Sequence, residues 1–303
     1  MLMVEDISNE KRMKSTMSRY MDPGIADQLL NDSSDDIMGG ANATATVLFS
    51  DVRGFTTLTE GLGAQGTVSF LNEYFTVMVD CIAKEEGMLD KFIGDAIMAA
   101  FGLPISHDDD EDRAVRASIS MISELWKWNK VRESKGLKPA DMGIGLNTDS
   151  VVSGNIGSPK RMDYTLIGDG VNLAARLESA CKAYSARILI SENTFKKLKG
   201  TYRVRDVDLV VVKGKTEPVG VYEVLDYHDD ETFPNLMDVV SHFNEGIKLY
   251  RGADWSKAIK QFEEAIKFNP GDTLSKTYIE RCNFLSSNPP EGEWNGVWVM
   301  TSK

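Results

Sequence analysis

Residues that could cross-link the chain are few. Cys81, Cys181 and Cys282 lie about a hundred positions apart, with no CxxC or Cys/His grouping. That spacing excludes a disulfide framework and a zinc knuckle, and leaves buried reduced thiols as the expected state. Cations are also short: 34 Lys and Arg against 46 Asp and Glu give a net charge of −12. Such a surface argues against a general nucleic-acid-binding role, which needs a basic face. No apolar run approaches the ~18 residues of a membrane helix, so no span is expected within this sequence. The opening MLMVEDISNEKR carries acids where a secretory leader needs a basic and then an apolar stretch. A cytoplasmic location is the expectation.

What is present is ordinary for a globular protein: 42% apolar and 26% charged residues over 303 positions. That length suits one large domain with appendages, or two domains. A polyphosphate ligand would force so acidic a chain to gather its few cations locally or to borrow charge from a metal.

Two apolar runs each end in a carboxylate. Val47, Leu48 and Phe49 lead into Asp51, and Phe92 and Ile93 precede a Gly94-Asp95 turn followed by Ala96, Ile97 and Met98. If the runs are neighbouring strands, both acids fall at one end of a sheet. Carboxylate oxygens held on a rigid edge suit Mg²⁺ or Mn²⁺. Turn chemistry alone also accounts for the pattern, with Asp51 at a strand end and Asp95 in a Gly-Asp hairpin.

Around these runs the chain reads as alternating elements. Residues 63–86 form a helix whose Val68, Leu71, Phe75, Met78, Val79 and Ile82 make a core stripe, stopped by Gly87. The acidic run 108–112 marks the N-terminus of a helix over 113–133, where negative charge offsets the dipole. Residues 141–147 and 150–156 read as two strands of a glycine-rich hairpin, and 161–167 as another strand. A turn at Gly168 opens a helix over 171–184, followed by a strand over 186–191. Ser191 caps a short helix reaching Lys199, and 202–227 is a hairpin around Lys213-Gly214-Lys215. The order βαββαββ indicates an α+β fold with helices covering a largely antiparallel sheet.

The flanks differ in character. Residues 1–42 read as a polar, Met-rich linker that resembles the end of a PAS-type sensor domain running into a coupling helix, which implies an upstream sensor on a longer parent chain. Over 235–286, Gly246, Ala258, Phe262, Ala265 and Pro270 match the spacing of one tetratricopeptide unit. A single such unit cannot bury its own face and should pack on the rest of the chain or on another chain. The tail, 287–303, holds Trp294 and Trp298, with no role assigned.

FSDVRGFT, followed by KFIGDAIMAAFG, DYTLIGDGVNLAARLE and VVVKGKTEPVGVYEV, resembles the class III nucleotidyl cyclase catalytic domain. The likeness covers about residues 43–228. It implies a ferredoxin-like βαββαβ core with a small all-α C-terminal appendage. It also implies an activity: ATP converted to cyclic AMP and pyrophosphate by attack of the ribose 3′-hydroxyl on the α-phosphate, with two Mg²⁺ or Mn²⁺ ions per site. Asp51, Asp95 and the Val52 carbonyl are the implied metal ligands. Asn172 would orient the ribose, and Arg176 would stabilise charge on the transferring phosphate. Lys213 would meet the terminal phosphates, with Lys215 as the fallback, and Phe55 and Thr56 are further implied substrate contacts. Asn172 and Arg176 stand at i and i+4, on one helical face, and a guanidinium fork suits a phosphate.

Base choice falls on Lys91 and Thr165. Lys91 resembles the adenine-contacting lysine of adenylyl cyclases, where guanylyl cyclases place Glu. Thr165 stands where adenylyl enzymes usually place Asp, and its oxygen can still accept from the adenine amino group. That departure resembles the bicarbonate-stimulated soluble subgroup. The family divides each site between subunits, so a homodimer with C2 symmetry is implied. The alternatives are a guanylyl cyclase, or a catalytically silent nucleotide-binding module that relays signals by dimerising.

Overall fold

The computed structural model describes residues 39–158, 160–211 and 218–298. Most of the proposed N-terminal linker, together with Lys213 and Lys215, lies outside the described residues. Among these, eight strands form one sheet in the order β2-β3-β1-β4-β6-β8-β7, with β5 paired to β4 off that path. The strands are β1 (Gly39–Val52), β2 (Met88–Ile93), β3 (Ala96–Phe101), β4 (Met142–Ser158), β5 (Arg161–Ile167), β6 (Ile188–Ser191), β7 (Val204–Val210) and β8 (Val219–Val224). All pairings are antiparallel except β4 with β6, so the α+β expectation holds.

β1 and β4 are the long central strands, and they depart from the sequence reading. The expected hairpin over 141–156 is a single 17-residue strand. Thr148, Asp149 and Ser150 continue the ladder opposite Thr46, Ala45 and Thr44 instead of turning. β1 likewise begins at Gly39, inside the stretch expected to be loop, because Gly39 to Ala43 pair with Asn155 to Val151. Each strand supplies the partner the other needs, and a backbone ladder overrides local turn propensity.

Helices cover both faces. On one lie α1 (Phe55–Thr59), α2 (Gly63–Lys84) and α3 (Asp110–Ser134). Leu48, Val52, Ile97, Ala99, Met142, Ile144 and Leu146 point toward this layer and share its core with Tyr74, Met78, Met121 and Leu125. The buried stripe of α2 is Phe70, Tyr74, Met78, Cys81 and Ile82. It is rotated from the expected one, so that Val68 is 51% exposed and Phe75 stacks on Phe92 at 4.0 Å between ring centroids. The expected acidic start of α3 is present, and its acids also tie loops down. Asp112 accepts from the Lys199 and Gly200 amides and from the Tyr202 hydroxyl. All three cysteines are free and buried, and burial pushes the Cys81 thiol up to about 11.

The other face carries α4 (Asp169–Tyr184). It lies flat on β4 because Gly143 and Gly145 have no side chains. A Cβ on Gly145 would sit 2.2 Å from the Glu178 nitrogen and 2.3 Å from the Ala174 oxygen. Short α5 (Glu192–Lys197) is capped by Ser191, whose hydroxyl accepts from the Thr194 amide as expected.

Three further helices, α6 (Leu236–Arg251), α7 (Trp255–Phe268) and α8 (Thr273–Ser287), pack on the β7 end of the sheet. Gly246 makes room for the Phe262 ring, and Ala258 and Ala265 are fully buried. Their core is continuous with the α4 residues Leu173, Leu177 and Cys181. Trp294 donates to the Tyr250 carbonyl at 3.1 Å, and Trp298 packs edge-on against Phe284. Among the described residues no helix is long and apolar enough to cross a membrane.

Candidate active site

The register of β1 and β3 builds the site. Ser50 pairs with Ile97, so Asp51 follows at the strand end beside the turn between β2 and β3 that carries Asp95. Gly94 takes φ +66° in that turn, a conformation side chains rarely adopt. Asp51 faces the α4 side of the sheet, because Leu48 and Val52 face the other. The expectation of two acids at one sheet end is met. Their carboxyl groups come within hydrogen-bonding reach, and Asp51 is raised to about 6, first by burial and then by the bond to and the charge of Asp95. Two half-buried carboxyls this close need a shared proton or a cation between them. The donor set fits a hard divalent cation, which commonly takes one or two acids and completes its shell with substrate oxygens. Among the described residues no group of three or more His, Cys, Asp or Glu side chains is placed to hold a metal alone.

A third acid stands beside them, which the sequence reading did not single out. Glu178 of α4 lies over Gly143, the β4 partner of Asp51. Its carboxyl is raised to about 7, by burial first and then by the Asp51 charge, with Arg53 pulling the other way. A signal was available, since Val171, Ala174, Glu178 and Cys181 follow a three-four-three helical spacing. A carboxylate within an inward stripe is out of place for core packing alone. Arg53, two residues after Asp51, is held by Asp141 at 3.3 Å and by the Ala186 carbonyl.

Asn172 and Arg176 sit on the opposite, exposed face of α4. Leu173, Ala174, Leu177 and Cys181 are buried toward the sheet, so the outward stripe is 172-176-179. Among the described residues, neither the Asn172 nor the Arg176 side chain has a hydrogen-bond or ion-pair partner, while the Asn172 amide donates to the Gly168 carbonyl. The structure therefore does not bring the acid pair and Arg176 together within one chain.

Lys91 and Thr165 are brought together, through Asp90. The Thr165 hydroxyl donates to Asp90 Oδ2 at 2.7 Å, and Lys91 Nζ lies 3.4 Å from Asp90 Oδ1. Phe55 and Thr56 open α1 directly after Gly54, which takes φ +61°. Phe55 packs on Phe70 at 6.1 Å between centroids, while Thr56 is exposed. The backbone of Val52 belongs to the β1 ladder opposite Met142.

Residues 40–225 match the family described as adenylate and guanylate cyclase catalytic domain. The chain is 36% identical over 244 residues to the terminal-differentiation-specific adenylate cyclase of Dictyostelium discoideum, covering 78% of this chain and 11% of that one. It is 35% identical over 223 residues to an adenylate cyclase of Anabaena cylindrica, covering 71% and 43%. It thus spans less than half the length of either curated relative. Among solved structures, the adenylyl cyclase CyaB from P. aeruginosa superposes with a TM-score of 0.59 at 38% identity, over 64% of this chain and 99% of that one. The guanylyl cyclase Cya2 gives 0.57 at 41%, over 62% and 94%.

Proposed function

The chain belongs to the adenylate and guanylate cyclase catalytic domain family, and on that premise we propose that it converts ATP to 3′,5′-cyclic AMP and pyrophosphate. The observation that carries this is the pair Asp51 and Asp95, half-buried at a strand end, with the charge of one raising the other. Asp51 and Asp95 would hold Mg²⁺ or Mn²⁺, two ions per site, with the Val52 carbonyl as a further ligand. Bound there, the cations supply charge neutralisation on the phosphates and a lowered pKa at the ribose 3′-hydroxyl. Asn172 orients the ribose, and Arg176 meets the charge that develops on the transferring phosphate. Lys213 reaches the terminal phosphates, while Phe55 and Thr56 line the triphosphate side. Lys91 and Thr165 read the base, and their placement beside one another supports ATP.

The site is shared between two copies. Arg176 projects from the outer face of a helix whose inner face carries Glu178 beside Asp51, so one chain cannot apply both sets to a single phosphate. A second copy related by a two-fold axis supplies the missing half and generates two equivalent sites.

Residues 43–228 are the catalytic unit in this reading, and 235–286 a tetratricopeptide-like unit followed by the tail 287–303. The residues before β1, which the sequence reading bounded at 1–42 and the strand cuts back to 1–38, couple the catalytic unit to an upstream sensor on a longer chain, and Thr165 points to bicarbonate as a stimulant. Unchanged turnover across a bicarbonate titration at fixed pH would remove that last element. The direct test incubates the purified protein with ATP and Mg²⁺ or Mn²⁺. Cyclic AMP and pyrophosphate in equal amounts are expected; formation of neither, or cyclic GMP from GTP in preference, refutes the assignment.

A further inference from the structure

We propose that Asp90 is a positioning residue that sets the nucleobase preference, by consuming the only proton of the Thr165 hydroxyl and leaving its oxygen able only to accept. The inference rests on the reading of Lys91 and Thr165 as the base contacts.

Three observations carry it. The first is the bond itself: Thr165 donates to Asp90 Oδ2 at 2.7 Å across 75 residues of sequence, and the Asp90 side chain is 0% exposed. Burial pushes the Asp90 carboxyl up while the Thr165 hydroxyl and the Lys91 charge pull it back; in its ionised form it has no proton to return, and Thr165 is the donor.

The second is the backbone that aims it. The β2–β3 register shifts between Leu89 and Lys91, which makes Asp90 the extra residue of a bulge. Neighbours along a regular strand point to opposite faces. A bulge re-aims a side chain, and here Asp90 and Lys91 approach one another, with Lys91 Nζ 3.4 Å from Asp90 Oδ1. At that distance Lys91 pairs with the buried Asp90 Oδ1 and favours the charged form of the carboxyl. The Lys91 side chain stays 38% exposed, open to a ligand.

The third is the mechanical tie. β5 is bonded only to β4 within the sheet, and the Asp90–Thr165 bond fastens it to β2.

The consequence is a polarity filter. Adenine presents an exocyclic amino donor where guanine presents a carbonyl acceptor. An oxygen whose proton is engaged elsewhere matches the amino group and opposes the carbonyl. A free threonine hydroxyl could rotate to serve either base. Asp90 therefore allows Thr165 to take the place of a carboxylate acceptor.

The test compares ATP and GTP on the full chain, by displacement of a fluorescent nucleotide and by cyclic-nucleotide formation with Mn²⁺. The proteins are wild type, Asp90→Leu, Thr165→Val and the double variant. Each single variant should lower the ATP-over-GTP ratio about tenfold, the usual consequence of one mismatched or unmade buried hydrogen bond. The double variant should fall no further than Thr165→Val, because the proposed effect of Asp90 on base choice runs through the Thr165 hydroxyl and not through its ion pair with Lys91. A merely structural role would weaken both nucleotides alike and leave the ratio unchanged. An unchanged ratio in Asp90→Leu, or a double variant that falls multiplicatively, overturns the inference. Should Asp90→Leu fail to fold by circular dichroism, Asp90→Ala takes its place on the same criteria, and a wild-type ratio in Thr165→Val overturns the inference in either case. A wild type that prefers ATP in binding yet forms no cyclic product refutes the cyclase reading, and the binding ratios then judge Asp90 alone. A wild type with no preference overturns the inference whatever its turnover.

Discussion

At the scale of single residues, the site is an arrangement of acids that repel one another when empty. Asp51 is raised from 3.8 to about 6 and Glu178 from 4.5 to about 7. Between those limits the folded chain holds protons that the unfolded chain has released, so stability falls as pH rises through about 4 to 7. The metal-free protein should melt at a lower temperature at pH 7.5 than at pH 5. Mn²⁺ should raise the melting temperature more at pH 7.5, where it need not displace a proton. Asp51→Asn should flatten the pH dependence; a metal-free melting temperature that rises over this range contradicts the account. Glu178→Gln, which removes a like charge without changing shape, should raise the metal-free melting temperature at pH 8 by about 2–4 °C. Asp51 and Asp95 were legible in the sequence because each ends an apolar strand. Glu178 and Asp90 were not read, since their meaning depends on a helix lying over Gly143 and on a bulge, neither of which a linear pattern displays.

At the scale of elements, the helices were legible and the strand limits less so. Helical periodicity survives in α2, yet its buried stripe is set by which neighbours arrive, which left Val68 exposed and brought Tyr74 inward. The glycines of β4 read as a turn signal, but two of them serve a different purpose, close approach of a helix. Gly145→Ala tests this directly. Its Cβ would overlap the backbone of α4, a rigid obstacle that should cost about 3 kcal/mol in urea unfolding and displace Asn172 and Arg176 together. Gly143→Ala, with its nearest neighbour at 3.0 Å and that atom a side chain, should cost less. Equal and small losses at both positions would contradict the packing described.

At the scale of the molecule, the C-terminal helices are fastened to the catalytic sheet by buried charges. Arg205 of β7 bonds Glu223 at 2.6 Å and Asp272 at 2.8 Å, all nearly inaccessible. Asp208 accepts from Arg281 of α8 and from Tyr184 at the end of α4, each at 2.7 Å. The helix that carries Asn172 and Arg176 is thus tied through Asp208 to the appendage. Asp272→Ala leaves Arg205 with one buried partner and should cost about 3–5 kcal/mol, measurable by urea unfolding; a loss below about 1 kcal/mol would mean the contact is solvated. The sequence indicated that a lone helical unit must pack on something. The charges that choose this end of the sheet lie on segments far apart in the chain and were not legible there.

The same scale holds the central claim, that two chains share each site. Asp51→Ala and Arg176→Ala, each silent alone, are mixed, allowed to exchange subunits, and assayed for cyclic AMP from ATP with Mn²⁺. Half the random dimers are mixed and each carries one intact site, so about a quarter of the wild-type rate should return. A mixture that exchanges subunits and stays as inactive as either variant would contradict the account.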